Sequence, residues 1–393
     1  TITCVAPYRF GARPADPVSA SYLLLAWKSY EYYGNRNIIR DHYDGLKGWV
    51  DYLASRTQDG IVDYSYYGDW SPPTQFAAAP GSAVSRDTPG QLMSTGYLYY
   101  CASMLSKMAE LTGRDAAPFR EKAERIREAV NRIYFDSTAA SYANGSQAAL
   151  AVALGLGIVP EGYEQRVADN LAKAIEDNDF HLDFGTLGSK YALRMLTRYG
   201  HGDVAYKMAS QKDCPSWGWW IEQGFTTLAE TWALSPEFRD ASVNHVFLGD
   251  ISAWMVSDIA GINFDPERPG YRHIVFRPHF FDGLDWAEAE YRSVSGPIRS
   301  RWERKGDRVV LTVTGYVIEK PLLYALGASS VTYPYASSYL RIYLLGNMFV
   351  MVGIGMNPFI NAQGFGTMGM VTVGLGALVN IILDPLFIFV FHM

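Results

Sequence analysis

From Ile342 to Leu383 the chain runs 42 consecutive residues without an Asp, Glu, Lys or Arg. A charge-free run of that length accommodates two membrane-spanning helices of about 20 residues each. Residues 315–393 as a whole carry only Glu319, Lys320, Arg341 and Asp384 as charged side chains. The preceding 314 residues carry 32 Lys and Arg against 38 Asp and Glu, so the net charge of −6 resides entirely there. Two unlike compositions therefore share one chain of 393 residues, with the break near Thr314-Gly315.

The first composition excludes several classes. An acidic body without a basic stripe lacks the footprint of a nucleic-acid binder. Its length suffices for a sizeable core, which excludes disorder. Cys4, Cys101 and Cys214 stand at no metal-ligand spacing, so neither a metal site nor a disulfide framework is indicated, and no organic cofactor is implied. Thr1 to Tyr8 carries no charged n-region and no long apolar core, and reads as a chain already in progress.

Between about Ala20 and Ile262, apolar residues recur at helical spacing between glycine and proline loops, giving roughly ten helices. Tyr22 to Tyr33 stops at Gly34, and Ile38 to Leu53 follows, so the pair reads as a helical hairpin. The same pattern continues over residues 91–111, 119–133, 146–156, 162–175, 188–198 and 204–209. Paired helices of this kind suggest a toroid of helical hairpins. After Ile262 the period changes to two. Residues 271–278, 286–294, 296–304 and 309–314 read as strands of a small, truncated C-terminal β-sandwich.

Two loops concentrate aromatics, Tyr64 to Pro73 and Cys214 to Trp220. Aromatic faces stack on a pyranose while carboxylates and amides take its hydroxyls, so such loops suit a sugar cleft. Each tryptophan taken singly is equally well explained as core.

The run Pro215-Ser216-Trp217-Gly218-Trp219-Trp220 through Phe225-Thr226-Thr227-Leu228-Ala229-Glu230-Thr231-Trp232, followed by Ser242-Val243-Asn244-His245, resembles the signature of bacterial α-L-rhamnosidases. The Gly68-Asp69-Trp70 loop and the Tyr30 to Gly34 helix end add to the likeness. The resemblance covers residues 1 to about 314. It implies a mainly α, incomplete (α/α)6 six-hairpin catalytic domain over 1–264 lacking its first hairpins, a C-terminal β domain over 265–314, and a rhamnose-containing oligosaccharide or glycoside as partner. It also implies inverting hydrolysis of terminal α-L-rhamnosides, with Glu230 as general base and His245 and Trp70 at sugar-contacting positions. Asp69 and Trp217 enter as further substrate-binding candidates from the same loops. The alternatives for these residues are a surface or helix-end carboxylate for Glu230 and a core histidine for His245. Glu222 competes for the base role but lies outside the acidic position of the motif.

The departures are as informative as the matches. The family carries its general acid on a loop resembling D-C-P-x-R-x-E-R-x-G-W-T-G-D, and no such segment occurs in this sequence. Asp213-Cys214-Pro215 copies only its opening. Pro17 to Ser21 stands where the family often has Gly-Trp-x-Asp-Ala, and Ala229 replaces the usual Trp beside the base. Because general acid catalysis contributes about 10² to 10⁴ in rate, the chain by itself is expected to be inactive or weak.

Residues 315–393 are similar to a different family, the MATE multidrug exporters, chiefly through Asn380-Ile381-Ile382-Leu383-Asp384-Pro385. Asn380 and Asp384 lie four apart, on one helix face. The likeness implies a cation or proton site there; the alternative is an Asp ending a span before Pro385. Two spans are too few for transport, and Arg341 alone gives no basis for orientation. The readings that remain are a truncated hydrolase with a tail joined by fusion or assembly, a membrane-anchored rhamnose-binding remnant held to the lipid bilayer by its tail, and an antiporter fragment. Location follows the tail: membrane if the fusion is real, otherwise soluble in an unspecified compartment.

Overall fold

In the computed structural model the described residues are 18–79, 82–232, 241–315, 323–324 and 326–339. The chain divides into two compact units after Gly315. The expected spans and the pair Asn380 and Asp384 lie outside the described residues. Among the described residues no helix is long and apolar enough to cross a membrane.

The first unit opens with α1 (Ser21–Tyr33) and α2 (Asn37–Ala54), a hairpin whose turn is made by Gly34. Gly34 adopts φ 68° and returns its N–H to Tyr30, a left-handed helix end that favours glycine. Then come α3 (Gly90–Leu111), α4 (Ala117–Tyr134), α5 (Gln147–Leu156), α6 (Glu164–Glu176), α7 (Thr186–Arg198) and α8 (Gly202–Ala209). A short α9 (Trp217–Glu222) and α10 (Asp250–Trp254) complete the helices, α10 running on into a π-type turn over Met255–Ile259. Helices α1 to α8 coincide with the spacing read from the sequence to within a few residues, whereas α9 starts inside the segment read as an aromatic loop and α10 falls in none of the segments read as helical.

Composition decides which helix goes inside. In α6 the buried residues Val167, Ala168, Leu171, Ala172 and Ile175 form one stripe, and in α4 Phe119, Ala123, Ile126 and Val130 do the same, so each of these helices buries one face. By contrast α5, Gln-Ala-Ala-Leu-Ala-Val-Ala-Leu-Gly-Leu, is buried on nearly every side, and α3 buries residues from Leu92 to Ala109 on several faces. A helix apolar all round must be enclosed by others. Accordingly α1, α3, α5, α7 and α10 follow one another as an inner layer, each beside the next, while α2, α4, α6 and α8 pack outside their partners.

The strands form small antiparallel units. Two short hairpins, β1 (Thr57–Gln58) with β2 (Ile61–Val62) and β3 (Phe135–Asp136) with β4 (Ser141–Tyr142), decorate the helical layers. After the helices, β5 (Ile262–Phe264) pairs with β6 (Ile274–Phe276), and β7 (Trp286–Ser293), β8 (Gly296–Lys305) and β9 (Arg308–Gly315) form a three-stranded meander. The expected sandwich is corrected here: among the described residues this region is one three-stranded sheet and one two-stranded ribbon. Its inner face docks on the end of the helical body. Ser300 Oγ donates to the Ala260 carbonyl at 2.6 Å and Trp302 Nε1 to that of Ile259 at 2.8 Å. On the outer face Glu288 stands opposite Arg301 and Glu290 opposite Arg299, which form solvent-exposed ion pairs of small net effect.

Candidate active site

The Asp69 loop and the Trp232 end of the Glu230 segment both bond to the residues just before α7, Gly185 and Phe184. α7 has no capping side chain of its own, since Gly185 precedes it. Asp69 supplies the missing acceptor from 116 residues away: Oδ2 accepts from Gly185 N at 2.7 Å, and Oδ1 from Leu187 N at 2.8 Å and Gly188 N at 3.1 Å. Thr186 N adds a bond to the Trp70 carbonyl at 2.8 Å. Gly185 is required because a Cβ there would run into that same carbonyl oxygen. Asp69 is 0% exposed, and burial pushes its carboxyl up to about 6 against the pull of the three backbone N–H groups.

With both oxygens occupied and no exposure, Asp69 is corrected from a sugar contact to the residue that seats the Trp70 loop on α7. Trp70 itself stays half-exposed, with its ring edge-to-face against Tyr67 at 4.8 Å.

The Glu230 segment is built differently. No helix carries Glu230; the two halves of the motif clasp each other. Glu230 N donates to the Ser242 carbonyl at 2.8 Å, Ser242 N returns a bond to Glu230 Oε2 at 3.1 Å, and His245 N donates to the Leu228 carbonyl at 2.9 Å. Thr227 Oγ1 closes the clasp on the Val243 carbonyl. Glu230 is thereby set against Ser242 and His245 against Leu228 within the same clasp, and both side chains are half-buried. Phe247 N donates to His245 Nδ1 at 3.3 Å, and the two rings meet at 3.8 Å. With Nδ1 accepting, the neutral imidazole carries its proton on Nε2 as a donor.

The clasp is fastened by tryptophans. Trp232, 0% exposed, donates from Nε1 to the Phe184 carbonyl at 2.7 Å and stacks on Trp220 at 5.1 Å. Trp217, 5% exposed, packs edge-on against Trp232 and donates to the Leu248 carbonyl at 2.9 Å. Trp217 is therefore corrected to the core reading: its one polar atom is committed and its ring enclosed. The Trp232–Phe184 bond joins the clasp to the residues just before α7, and so to the Asp69 loop. Glu222 lies on α9 and pairs with Lys212 at 3.2 Å, away from the clasp's bonds.

Sequence reading missed Asp183. Its Oδ2 accepts from Gln147 N, the first residue of α5, at 3.1 Å, while Gln147 Oε1 accepts from Asp183 N at 3.2 Å. Oδ1 is enclosed and has no partner among the described residues. Burial, reinforced by the charges of Asp69 and Asp87, pushes this carboxyl up to about 7. No local signal marked it, because the helix end it serves lies 36 residues earlier. Among the described residues no group of three or more metal-ligating side chains forms.

The bacterial α-L-rhamnosidase six-hairpin glycosidase domain matches residues 2–259, and the bacterial α-L-rhamnosidase C-terminal domain matches residues 261–314. Both matches end before the charge-poor segment. An α-L-rhamnosidase of Streptomyces avermitilis is 34% identical over 294 residues, 73% of this chain and 27% of that protein. One from Alteromonas sp. (strain LOR) is 28% identical over 74% of this chain and 32% of its own length. Among solved structures, the S. avermitilis α-L-rhamnosidase complexed with L-rhamnose aligns with a TM-score of 0.71 at 30% identity, covering 79% of this chain and 29% of that one. The α-L-rhamnosidase of Dictyoglumus thermophilum aligns with the same TM-score at 34% identity, over 77% and 34% of the two chains. The chain thus spans about a third or less of these relatives' lengths. Its helical layers have the six-hairpin glycosidase fold followed by a C-terminal β domain, and the chain belongs to the bacterial α-L-rhamnosidase family of glycosidases.

Proposed function

We propose that this site recognises terminal α-L-rhamnosides and carries the general-base half of an inverting glycoside hydrolysis, with Glu230 as the base. The observation that carries the reading is the clasp. It holds in one clasp a carboxylate fixed through one oxygen and an imidazole whose Nε2–H is a donor, tied through the Trp232–Phe184 bond to the loop that carries the partly exposed Trp70 ring. An inverting enzyme needs a carboxylate that removes a proton from water on one face of the sugar while an acid protonates the leaving oxygen on the other, the two roughly 6.5–9.5 Å apart. Glu230 takes the water proton, His245 Nε2–H donates to a sugar hydroxyl, and the Trp70 face stacks on the pyranose. Asp69 acts indirectly, by seating Trp70.

The second carboxyl has no counterpart in the acid-loop pattern of this sequence. The reading therefore includes a low rate, lower by about 10² to 10⁴ than a site with both groups. The readings of residues 315–393 as an anchor or exporter fragment are supported by neither matched domain, and are not carried further.

The test is paired. L-rhamnose is expected to raise the melting temperature of the full chain, and 4-nitrophenyl α-L-rhamnoside to be turned over slowly or not at all. Absence of any rhamnose-dependent shift overturns the recognition. Brisk turnover that disappears in Glu230→Gln overturns the low rate while upholding the base; brisk turnover that survives it overturns the base.

A further inference from the structure

The inner helices line a cavity of about 740 Å³, within the range of small-ligand sites. On α7 it begins at Lys190 and extends to Arg198, whereas Asp69 binds the first turn. The ten steps from Gly188 to Arg198 span about 15 Å along the axis. The cavity thus reaches from Lys190 and from Asp250, at the start of α10, to Arg198 at the last residue of α7, beside the β5–β6 ribbon, which contributes Asn263.

Its walls are charged in a way the whole chain is not. Lys28, Lys190, Arg194, Arg198 and Arg277 line it, against the carboxylates of Asp250 and Asp258. Three of the cations have partners: Lys190 with Asp250 at 3.2 Å, Arg194 with Asp258 at 3.4 Å, and Lys28 with Glu31 at 2.6 Å. Arg198 and Arg277 have no carboxylate within 4.0 Å among the described residues, and Arg198 only flanks the Tyr199 ring. Two guanidinium groups without a carboxylate partner, one from the end of α7 and one from just after β6, are thus left in the lining of a protein whose net charge is −6. Concave walls concentrate such a field, and guanidinium groups match carboxylate and phosphate oxygens in pairs.

The remaining lining suits an anion that also carries hydroxyls or a ring. Tyr32 and Tyr100 supply aromatic faces, and His279 stands beside Asp258. Burial holds the His279 imidazole below its ordinary 6.5, with Asp258 opposing and Arg277 adding to the effect. A neutral imidazole offers both a donor and an acceptor.

We propose that the Arg198 end of this cavity, some ten helical positions from the turn that Asp69 binds, is a second binding site for a small ligand bearing an oxyanion, with Arg198 and Arg277 receiving its carboxylate or phosphate oxygens. It stands independently of the rhamnoside reading, because none of its residues belongs to the clasp or the Trp70 loop.

The experiment is isothermal titration of the full chain at constant ionic strength with inorganic phosphate, glucuronate and, as uncharged control, glucose. At least one anion is expected to bind saturably with millimolar or tighter affinity, and glucose not to bind at the cavity. Arg198→Ser combined with Arg277→Ser is expected to weaken that binding tenfold or more with the melting temperature unchanged, since both side chains are exposed. Phosphate alone binding assigns a phosphate site, glucuronate alone a sugar-acid site, and both a general oxyanion site. Saturation by neither anion overturns the proposal, as does binding that the double variant, or each single variant if the double is unstable, leaves unaltered.

Discussion

The Asp69 loop and the Glu230 clasp are both tied to the residues just before α7 and each presents a carboxylate, yet they use it in opposite ways. Asp69 is fully enclosed, and both of its oxygens accept backbone N–H groups that the α7 terminus leaves unpaired. Glu230 is half-buried, sits on no regular element, and receives a backbone bond at Oε2 from Ser242. The contrast separates a carboxylate that holds a fold together from one that a fold holds out. Motif membership does not distinguish them, because both belong to runs typical of the family; enclosure and hydrogen-bond accounting do.

The hardest blow to the comparison is struck where the two regions join. Trp232→Ala removes the largest enclosed ring of the clasp and the bond to Phe184, and is expected to cost about 3–5 kcal/mol, read as a lowered urea midpoint. A loss under about 1 kcal/mol would show that the clasp is not anchored through this ring. Next comes Asp69→Ala, which leaves backbone donors of α7 unpaired in an enclosed place and is expected to cost about 2–3 kcal/mol at neutral pH. Denaturant unfolding checks it, and an unchanged midpoint would return Asp69 to the list of ligand contacts.

A pH series sharpens the same contrast. The folded chain holds the Asp183 carboxyl up to about 7, whereas the unfolded chain ionises it near 3.8. Its contribution to stability is therefore fully present below 3.8 and is lost as pH rises through about 7. Asp183→Asn cannot ionise, so its melting temperature relative to the unsubstituted chain should climb by several degrees between pH 4 and pH 8. A difference that does not change across that range would place the carboxyl in an ordinary environment. The smallest effect belongs to Glu230→Gln, which keeps an oxygen for Ser242 N and is expected to move stability by no more than about 0.5 kcal/mol. If its cost in a thermal melt matches that of Asp69→Ala, Glu230 is a structural carboxylate and the distinction collapses.

Much of this was legible in the residues. Helices follow from local periodicity, and the inner and outer layers follow from whether a helix is apolar all round, as α5 is, or along one stripe, as α6 is. The alternation along residues 286–293 gave β7, while the three-residue β5 was too short to show a period. The Glu230 and His245 motif could be picked out from neighbouring residues, since its halves lie within 16 positions of each other.

The amino-acid sequence by itself thus determined which segments are helices and strands, which helices must be enclosed, and that the chain breaks in composition near Gly315. Tertiary structure alone decided what the polar groups do. Asp69 serves a helix end 116 residues away, Asp183 one 36 residues back, and the Trp217 ring is covered by Trp232. The physical reason is one of range: helix and strand patterns repeat every few residues and are written locally, whereas a buried carboxylate or indole N–H takes its meaning from a partner that only the completed fold brings within 3 Å or so.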